Sequence, residues 1–192
     1  MQLSERAKQL IPQARIVSFA TWGETYSSEI VAIFQNADDS GRYLTDEDLE
    51  KITSLVPELS PAETKARLLR EKAPYLVANA REKVLASFPH ITDPQGDLYP
   101  VERAEACWRD FWHFLRYISY GIAGQNSQFT SEKGLANMQL LYQELRVPLK
   151  PMICGLEQLK TISLEQFDDE ENQQSAIYFD HLINCLKGFE DS

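Results

Sequence analysis

The most informative stretch of this chain is residues 99–125, which read YPVERAEACWRDFWHFLRYISYGIAGQ. No proline and only one late glycine interrupt the run from Ala104 to Ile122, so this run is predicted to form one long helix. Apolar side chains recur in it at steps of three and four: Ala104, Trp108, Phe111, Leu115, Ile118 and Ile122. This spacing places them on one face of the helix and predicts that the face lies in the core.

A second stripe of the same helix combines a thiol, a carboxylate and aromatic rings, with arginines close by. Its members are Cys107, Asp110, Phe114 and Tyr117, and the arginines are Arg103, Arg109 and Arg116. Aromatic rings cover the faces of flat apolar ligands, and arginines hold carboxylates in a fork geometry. The carboxylate can accept N–H hydrogen bonds, and the thiol can form a covalent link. The set suits a linear tetrapyrrole, whereas the alternative interpretation is an amphipathic core helix with a buried cysteine.

The helix and the turn before it follow a recognisable order. Residues 94–99 read Pro-Gln-Gly-Asp-Leu-Tyr, and Arg103 follows. Next come Cys107-Trp108-Arg109-Asp110, the pair His113-Phe114, then Leu115-Arg116 and Tyr120. This series resembles the phycobiliprotein family, and its allophycocyanin members most closely. In that family a Pro-Gly-Gly-Asn-x-Tyr turn precedes an Arg, a Cys-x-Arg-Asp element, an aromatic pair, Leu-Arg and a Tyr.

Two distant stretches extend the resemblance. Residues 36–44 read NADDSGRYL, like an early segment of the family, and residues 175–183 read SAIYFDHLI, like its closing helix. Three separated motifs in the same order argue against a chance match, and the likeness covers about residues 30 to 188. It implies an all-α, globin-like fold of the phycocyanin type with about eight helices. Residues 1–24 would form an N-terminal helical extension, and residues 25–192 the globin-like domain.

The resemblance also implies roles for individual side chains of the central helix. Cys107 corresponds to the thioether attachment point of a bilin, and Asp110 to the residue that bonds the inner pyrrole nitrogens. Arg103 and Arg109 correspond to the arginines that hold the propionates. The bilin that the resemblance implies is phycocyanobilin or biliverdin, bound covalently through Cys107 or noncovalently.

Residues outside the central helix receive implied roles as well. The loop from Pro89 to Pro100 lies beside the bilin in the family, so Leu98 and Tyr99 are candidate pocket residues, unless they only anchor the loop. The family pairs the aspartate at the position of Asp38 with the arginine at the position of Arg116 in a partner subunit. Asp38 and Arg116 are therefore predicted interface residues, in a homo-oligomer or in a pair with another phycobiliprotein-like subunit.

Several departures from the family pattern bear on function. His113 replaces the usual tyrosine, Trp112 replaces an acidic residue, and the family's Ala-Gly-Asp turn ends here in Gln125. The imidazole of His113 could hydrogen-bond a bilin ring, change its protonation or ligate haem iron, or it could be an ordinary helix histidine. About two dozen residues precede the family's usual start, and they form either a docking arm or an arm that blocks or replaces a subunit contact.

The composition excludes several classes of protein. A net charge of −10 and a pI near 4.8 argue against a nucleic-acid surface and against binding to anionic membranes. No apolar run is long enough to span a membrane, and the first residues lack the apolar core of a secretory signal. Cysteines at only three positions, 107, 154 and 185, form neither a disulfide framework nor a zinc pattern and fit a reducing cytosol.

The other helices are expected at breaks set by capping residues and prolines. Thr45 is predicted to cap a helix over 46–56, and Ser60 a helix from Pro61 to about Lys72. Pro74 opens or kinks the next helix, and Thr130 or Ser131 caps the helix that ends near 145. The acidic run 168–171 is expected to be solvated.

The leading hypothesis is a bilin-binding protein with no enzymatic activity, since no catalytic triad, phosphate loop or metal cluster stands out. It acts either as a bilin carrier or bilin biosynthesis-associated globin, or as a light-harvesting subunit of a phycobilisome. The long extension, His113 and Trp112 favour the first role. The alternatives are a haem-binding or sensory globin that uses His113 and a pigment-free regulatory relative. The expected location is the cytoplasm, at the thylakoid surface for a phycobilisome subunit.

Overall fold

A computed structural model describes residues 3–189 of this protein, except for the side chains at positions 169–172. The described chain folds into eight α-helices: α1 (Glu5–Leu10), α2 (Ser28–Asp39), α3 (Asp46–Leu55), α4 (Ser60–Ser87), α5 (Val101–Ala123), α6 (Glu132–Leu145), α7 (Leu149–Leu164) and α8 (Asp169–Lys187). Within residues 3–189 the only β pairing is one isolated antiparallel bridge between Val17 and Thr130. The predicted all-α, globin-like fold of about eight helices is confirmed. No helix in this part of the chain is long and apolar enough to cross a membrane.

Helix α5 is the centre of the core, as its periodicity predicts. All six residues of its apolar stripe are buried, and Phe111, Leu115 and Ile118 are completely inaccessible to solvent. The helix packs against α4, α7 and α8. Helix α7 comes especially close, because a Cβ atom at Gly155 would lie 2.1 Å from Cζ of Phe111. The aromatic ring therefore fills the space that the glycine leaves.

Helix α4 differs from the two helices predicted for this region. It is one helix of 28 residues that runs through Pro74. Proline removes one backbone hydrogen bond of a helix, but buried side chains continue on both sides of it, and their packing outweighs the loss. These buried residues are Leu69, Ala73, Leu76, Ala80 and Val84. Ser60 is not the N-cap as predicted: Leu59 holds that position without a side-chain hydrogen bond, and Ser60 is the first helical residue.

The other predicted helix starts are confirmed. The Thr45 hydroxyl accepts a hydrogen bond from the backbone of Asp48, whose carboxylate accepts one from Thr45 N–H, so the two residues form a capping box. Ser131 caps α6 by accepting from the N–H of Gly134. The predicted solvation of the acidic run 168–171 concerns side chains that lie mostly outside the described residues.

The N-terminal extension packs along α6. Two backbone hydrogen bonds fix it there, from Ser18 N–H to the Phe129 carbonyl (3.0 Å) and from Ser131 N–H to the Ile16 carbonyl (2.7 Å). The fully buried indole of Trp22 also donates a hydrogen bond to the carbonyl of Gln128. The described part of the extension is therefore bound to the helical body along most of its length.

Candidate functional site

A cavity of about 570 Å³ lies between the extension, α5 and α6. Its volume is within the usual range for small-molecule sites. Seven of the nine side chains predicted for a pigment pocket line it: Arg103, Cys107, Arg109, Asp110, His113, Phe114 and Tyr117. They come together because four of them form the second stripe of α5 and the other three, Arg103, Arg109 and His113, lie beside it on the same helix. The cavity thus combines the thiol, carboxyl, imidazole and guanidinium groups of a single helix.

The thiol of Cys107 lines this cavity but is almost completely buried. Burial raises the pKa of the thiol to about 12, the nearby Asp110 adds to the rise, and Arg103 partly opposes it. The thiol is therefore protonated at neutral pH, and a protonated thiol is a poor nucleophile. Any covalent link to a ligand at Cys107 needs a step that removes or transfers this proton.

Asp110 has one hydrogen-bond partner within the described residues. The hydroxyl of Tyr142, which reaches in from α6, donates to its carboxylate over 3.0 Å. Burial raises the pKa of the carboxyl to about 6, although the Tyr142 hydrogen bond and the positive charge of Arg109 both lower it. A carboxylate has about four acceptor positions, so Asp110 can still accept N–H groups from a ligand.

His113 carries a polar atom that the protein itself does not satisfy. Its Nδ1 is buried and has no hydrogen-bond partner within the described residues. Burial lowers the pKa of the imidazole to about 4, helped by the positive charges of Arg116 and Arg109, whereas Asp38 raises it. At neutral pH the ring is uncharged, and it stacks on the ring of Tyr117 at 6.2 Å between centroids. An uncharged imidazole in a cavity wall can donate to, accept from or ligate a bound molecule.

The two predicted arginines differ in what they can offer a ligand. Arg109 is exposed and makes no hydrogen bond or ion pair with the described residues. Arg103 instead donates to three backbone carbonyls, those of Asp97 (3.1 Å), Leu145 (2.9 Å) and Arg146 (2.7 Å). Arg103 thereby joins the loop before α5 to the end of α6. Arg109 is the better placed of the two to bind an anionic group.

Leu98 and Tyr99, which the sequence offers either as pocket residues or as anchors of the loop, do not line this cavity. The loop folds back on itself through a hydrogen bond from Leu98 N–H to the Ile91 carbonyl, which buries Leu98 in the core. Tyr99 is 51% exposed. The loop instead borders a separate, open cleft of about 630 Å³ against residues 148–151. No buried charged residue lines that cleft, so it is the weaker candidate for a ligand site.

Asp38 and Arg116 form an ion pair within one chain, whereas the prediction placed them on two subunits. Their side chains are 5% and 4% exposed, and their nearest atoms are 3.3 Å apart. Arg15 of the extension covers the pair and lies 2.7 Å from the carboxylate of Asp38. The pair forms internally because α2 lies against α5, where the ring of Phe34 meets the ring of Tyr120 at 6.3 Å between centroids. The interface role of Asp38 and Arg116 stays a prediction.

Several residues of the cavity wall were not predicted from the sequence. On α6 they recur at helical spacing: Met138, Leu141, Tyr142 and Leu145. That spacing was a signal for one apolar face, but it does not reveal that the face meets the second stripe of α5. The extension adds a further group: Leu3, Ile11, Ala14, Arg15 and Ile16.

Comparison with known proteins agrees with this geometry. A family model described as "Phycobilisome protein" matches residues 32–186. The allophycocyanin alpha chain of Anabaena cylindrica is 26% identical over 152 residues, which cover 79% of this chain and 95% of the relative. The allophycocyanin alpha chain 1 of Microchaete diplosiphon is 29% identical over 151 residues (79% and 94%), and the alpha chain of Galdieria sulphuraria is 26% identical over 152 residues (79% and 94%). This chain belongs to the phycobilisome protein family. The matched region begins at residue 32, so the N-terminal extension lies outside it.

Proposed function

We propose that this protein binds a bilin, phycocyanobilin or biliverdin, in the cavity between the extension, α5 and α6. The observation that carries the proposal is that the second stripe of α5 lines that cavity with a thiol and a carboxyl, and that His113 beside it adds an imidazole. Membership of the phycobilisome protein family and the likeness to allophycocyanin alpha chains support it. The unsatisfied Nδ1 of His113 also fits a site that is completed by a ligand.

Each group in the cavity has a role that its surroundings allow. Asp110 would accept hydrogen bonds from the inner N–H groups of the bilin. Arg109, which has no partner of its own among the described residues, would bind a propionate. The rings of Phe114 and Tyr117 would contact the flat faces of the pigment. Held in this way, the pigment absorbs visible light and loses less of that energy through bond rotation.

Cys107 is the proposed attachment point, and noncovalent binding would come first. The raised pKa of the thiol argues against spontaneous attachment at neutral pH. Addition of the S–H group across a side-chain double bond of the bilin forms the C–S bond and places the proton on the neighbouring carbon. This step needs no oxidant or reductant.

Among the roles open to a bilin-binding protein, we favour a bilin carrier or bilin biosynthesis-associated globin over a light-harvesting subunit of a phycobilisome. The support comes from Asp38 and Arg116, which pair internally beneath Arg15 of the extension. An arm at this position replaces a contact that another subunit would otherwise make. We further propose a cytoplasmic protein without enzymatic activity, and its pairing with a second copy or a related subunit can be tested by light scattering.

The test is an absorption spectrum of the protein made together with phycocyanobilin or with biliverdin. Coloured protein supports the proposal, and colourless protein from both preparations contradicts it. Zinc-enhanced fluorescence on a denaturing gel then reports covalent attachment. In Cys107→Ala that signal should vanish, while colour in the native protein should remain if noncovalent binding comes first.

Haem is a second candidate ligand because of one observation. The imidazole of His113 lines the cavity, is uncharged at neutral pH and has an unpartnered Nδ1. Neutral imidazole is a common ligand of iron. Addition of haem should then give a Soret band that His113→Ala abolishes. If neither haem nor a bilin binds, a pigment-free regulatory role is favoured.

A further inference from the structure

We propose that the N-terminal extension is an integral wall of the ligand cavity and that its apolar side chains, Ile11 above all, contact the bound pigment and determine how tightly it is held. The inference rests on the proposed bilin-binding function. It concerns a segment that the family match does not include, since that match begins at residue 32. The proposed ligand is therefore the same, but the residues proposed to retain it lie outside the part of the chain that the family match covers.

The first argument is the position of the extension. Five of its residues line the cavity, and they lie opposite the stripe of α5 that carries Cys107 and Asp110. Four of the five are apolar, and three of these come from one short segment: Ile11, Ala14 and Ile16. A flat apolar ligand lying along α5 would therefore meet an apolar surface on its other side.

The second argument is the exposure of Ile11. Its side chain is 46% exposed although it borders a cavity, and large apolar side chains with this much exposure are few in the described chain. A ligand in the cavity would remove this apolar surface from water and would bind more tightly for that reason. The polar neighbours Gln9 and Gln13 do not line the cavity.

The third argument is that the extension is fixed in place and not loosely attached. In addition to its backbone bonds to Phe129 and Ser131, the Ser4 hydroxyl donates to Glu144 on α6 over 2.6 Å. Arg15 forms ion pairs with Asp38 and Asp39. A wall that is held at both ends can position a ligand, whereas a mobile arm would lose entropy on binding.

Gly134 on α6 is the residue that allows this close packing. A Cβ atom at Gly134 would lie 1.9 Å from the carbonyl oxygen of Arg15 and 3.0 Å from Cα of Ile16. Glycine weakens a helix by about 1 kcal/mol relative to alanine, so its presence inside α6 needs a packing reason. The reason is that the backbone of the extension, at Arg15 and Ile16, passes directly over the first turn of α6 at Gly134.

The first test compares two isoleucines of similar exposure, Ile11 and Ile177, in the full-length protein. Ile177 is 52% exposed on α8 and does not line the cavity. Biliverdin and phycocyanobilin are titrated into wild type, Ile11→Asp and Ile177→Asp. We expect Kd to rise at least about tenfold in Ile11→Asp and to stay within about twofold in Ile177→Asp.

The outcomes of this titration separate the two proposals. If wild type binds a pigment and both variants bind it equally well, the wall inference is wrong and the proposed function stands. If wild type binds neither pigment, the proposed function is wrong and the inference falls with it. Thermal unfolding of each variant checks that the charge has not altered the fold.

A second test displaces the extension from α6 without changing any of its apolar residues. Gly134→Ala places a methyl group against the Arg15 carbonyl, and the matched control Gly23→Ala adds one in the extension where nothing lies within 4 Å. Gly134→Ala should speed hydrogen exchange at the amides of Ser18 and Ser131 and raise the pigment dissociation rate, whereas Gly23→Ala should change neither. Faster exchange without faster dissociation would overturn the inference. If Gly134→Ala does not fold, the Ile11 comparison decides alone.

Discussion

The two stripes of α5 lie on one helix but differ in chemistry and in burial, because Asp110 and Tyr117 of the cavity stripe are only partly buried. The core stripe is entirely apolar, and Phe111, Leu115 and Ile118 are fully buried. The cavity stripe includes Cys107 and Asp110, whose pKa values burial raises to about 12 and about 6. Burying such groups destabilises the folded protein. A helix whose only role is structural is therefore expected to carry apolar residues at these positions. Titratable groups that keep strongly shifted pKa values beside a cavity are typical of functional sites.

The largest predicted difference between the two stripes comes from replacing one phenylalanine of each stripe by alanine. Phe111→Ala should reduce the free energy of unfolding by about 4 kcal/mol, because its ring fills the space beside Gly155 in the packed core. Phe114→Ala should cost only about 2 kcal/mol, because its buried ring already borders the cavity and is less tightly packed on that side. Urea unfolding of both variants measures the difference. Equal losses would mean that the cavity stripe is packed like the core.

Asp110→Asn should stabilise the protein at pH 8 by about 2 kcal/mol. The pKa of Asp110 in the folded protein, about 6, is above its ordinary value of 3.8. The folded state therefore binds the proton more tightly than the unfolded state. The free energy of unfolding should fall as the pH rises from about 4 to about 6 and then stay low. Asparagine cannot ionise, so this loss should be absent from its pH profile, measured by urea unfolding.

His113→Gln tests a pH dependence of stability opposite in sign to that of Asp110. The pKa of His113 is about 4, below its ordinary value of 6.5, so the unfolded state binds the proton more tightly. The contribution of His113 to stability is present above pH 6.5 and is lost as the pH falls toward 4. After allowance for solvent screening of a partly exposed ring, the loss is about 1 kcal/mol. The variant should lose less stability than wild type between pH 7 and pH 4.5, and an unchanged acid profile would contradict the assignment.

Arg15→Ala should have the smallest effect. Its side chain is 53% exposed, and Asp38 keeps its internal partner Arg116. We expect a loss of about 0.5–1 kcal/mol in the free energy of unfolding, reduced further by salt. Lys8→Ala, which removes an exposed pair with Glu5, is the matched control and should change stability by less. A loss above about 2 kcal/mol would show that the extension is held mainly by this one arginine.

The sequence was sufficient to predict those features of the fold and of the candidate site that depend on residues within one helix. Periodicity along α5 predicted which residues face the core, and the motif around Cys107 predicted which ones share the cavity. The core prediction is confirmed because residues three and four apart in a helix lie on one face whatever the rest of the chain does, whereas the binding role of the cavity residues stays a prediction.

What the sequence did not reveal depends on contacts between distant segments. Tyr142 meets Asp110 across 32 positions, and Arg15 meets Asp38 across 23. The same limit explains why the sequence left two alternatives open for Leu98, where the loop folds back into the core, and why it missed the single helix through Pro74. Asp38 and Arg116 were correctly recognised as complementary charges, but only the packing of α2 shows that they meet within one chain.

The most direct test of the central claim, that the second stripe of α5 grips a bilin, is visible circular dichroism of the full-length protein mixed with biliverdin. A tetrapyrrole fixed in an asymmetric cavity gives a strong visible signal, whereas the free pigment interconverts between mirror-image forms and gives none. We predict a signal in wild type that is lost or strongly reduced when Asp110 and Arg109 are both replaced by leucine. No signal in wild type, or an equal signal in that double variant, would contradict the account.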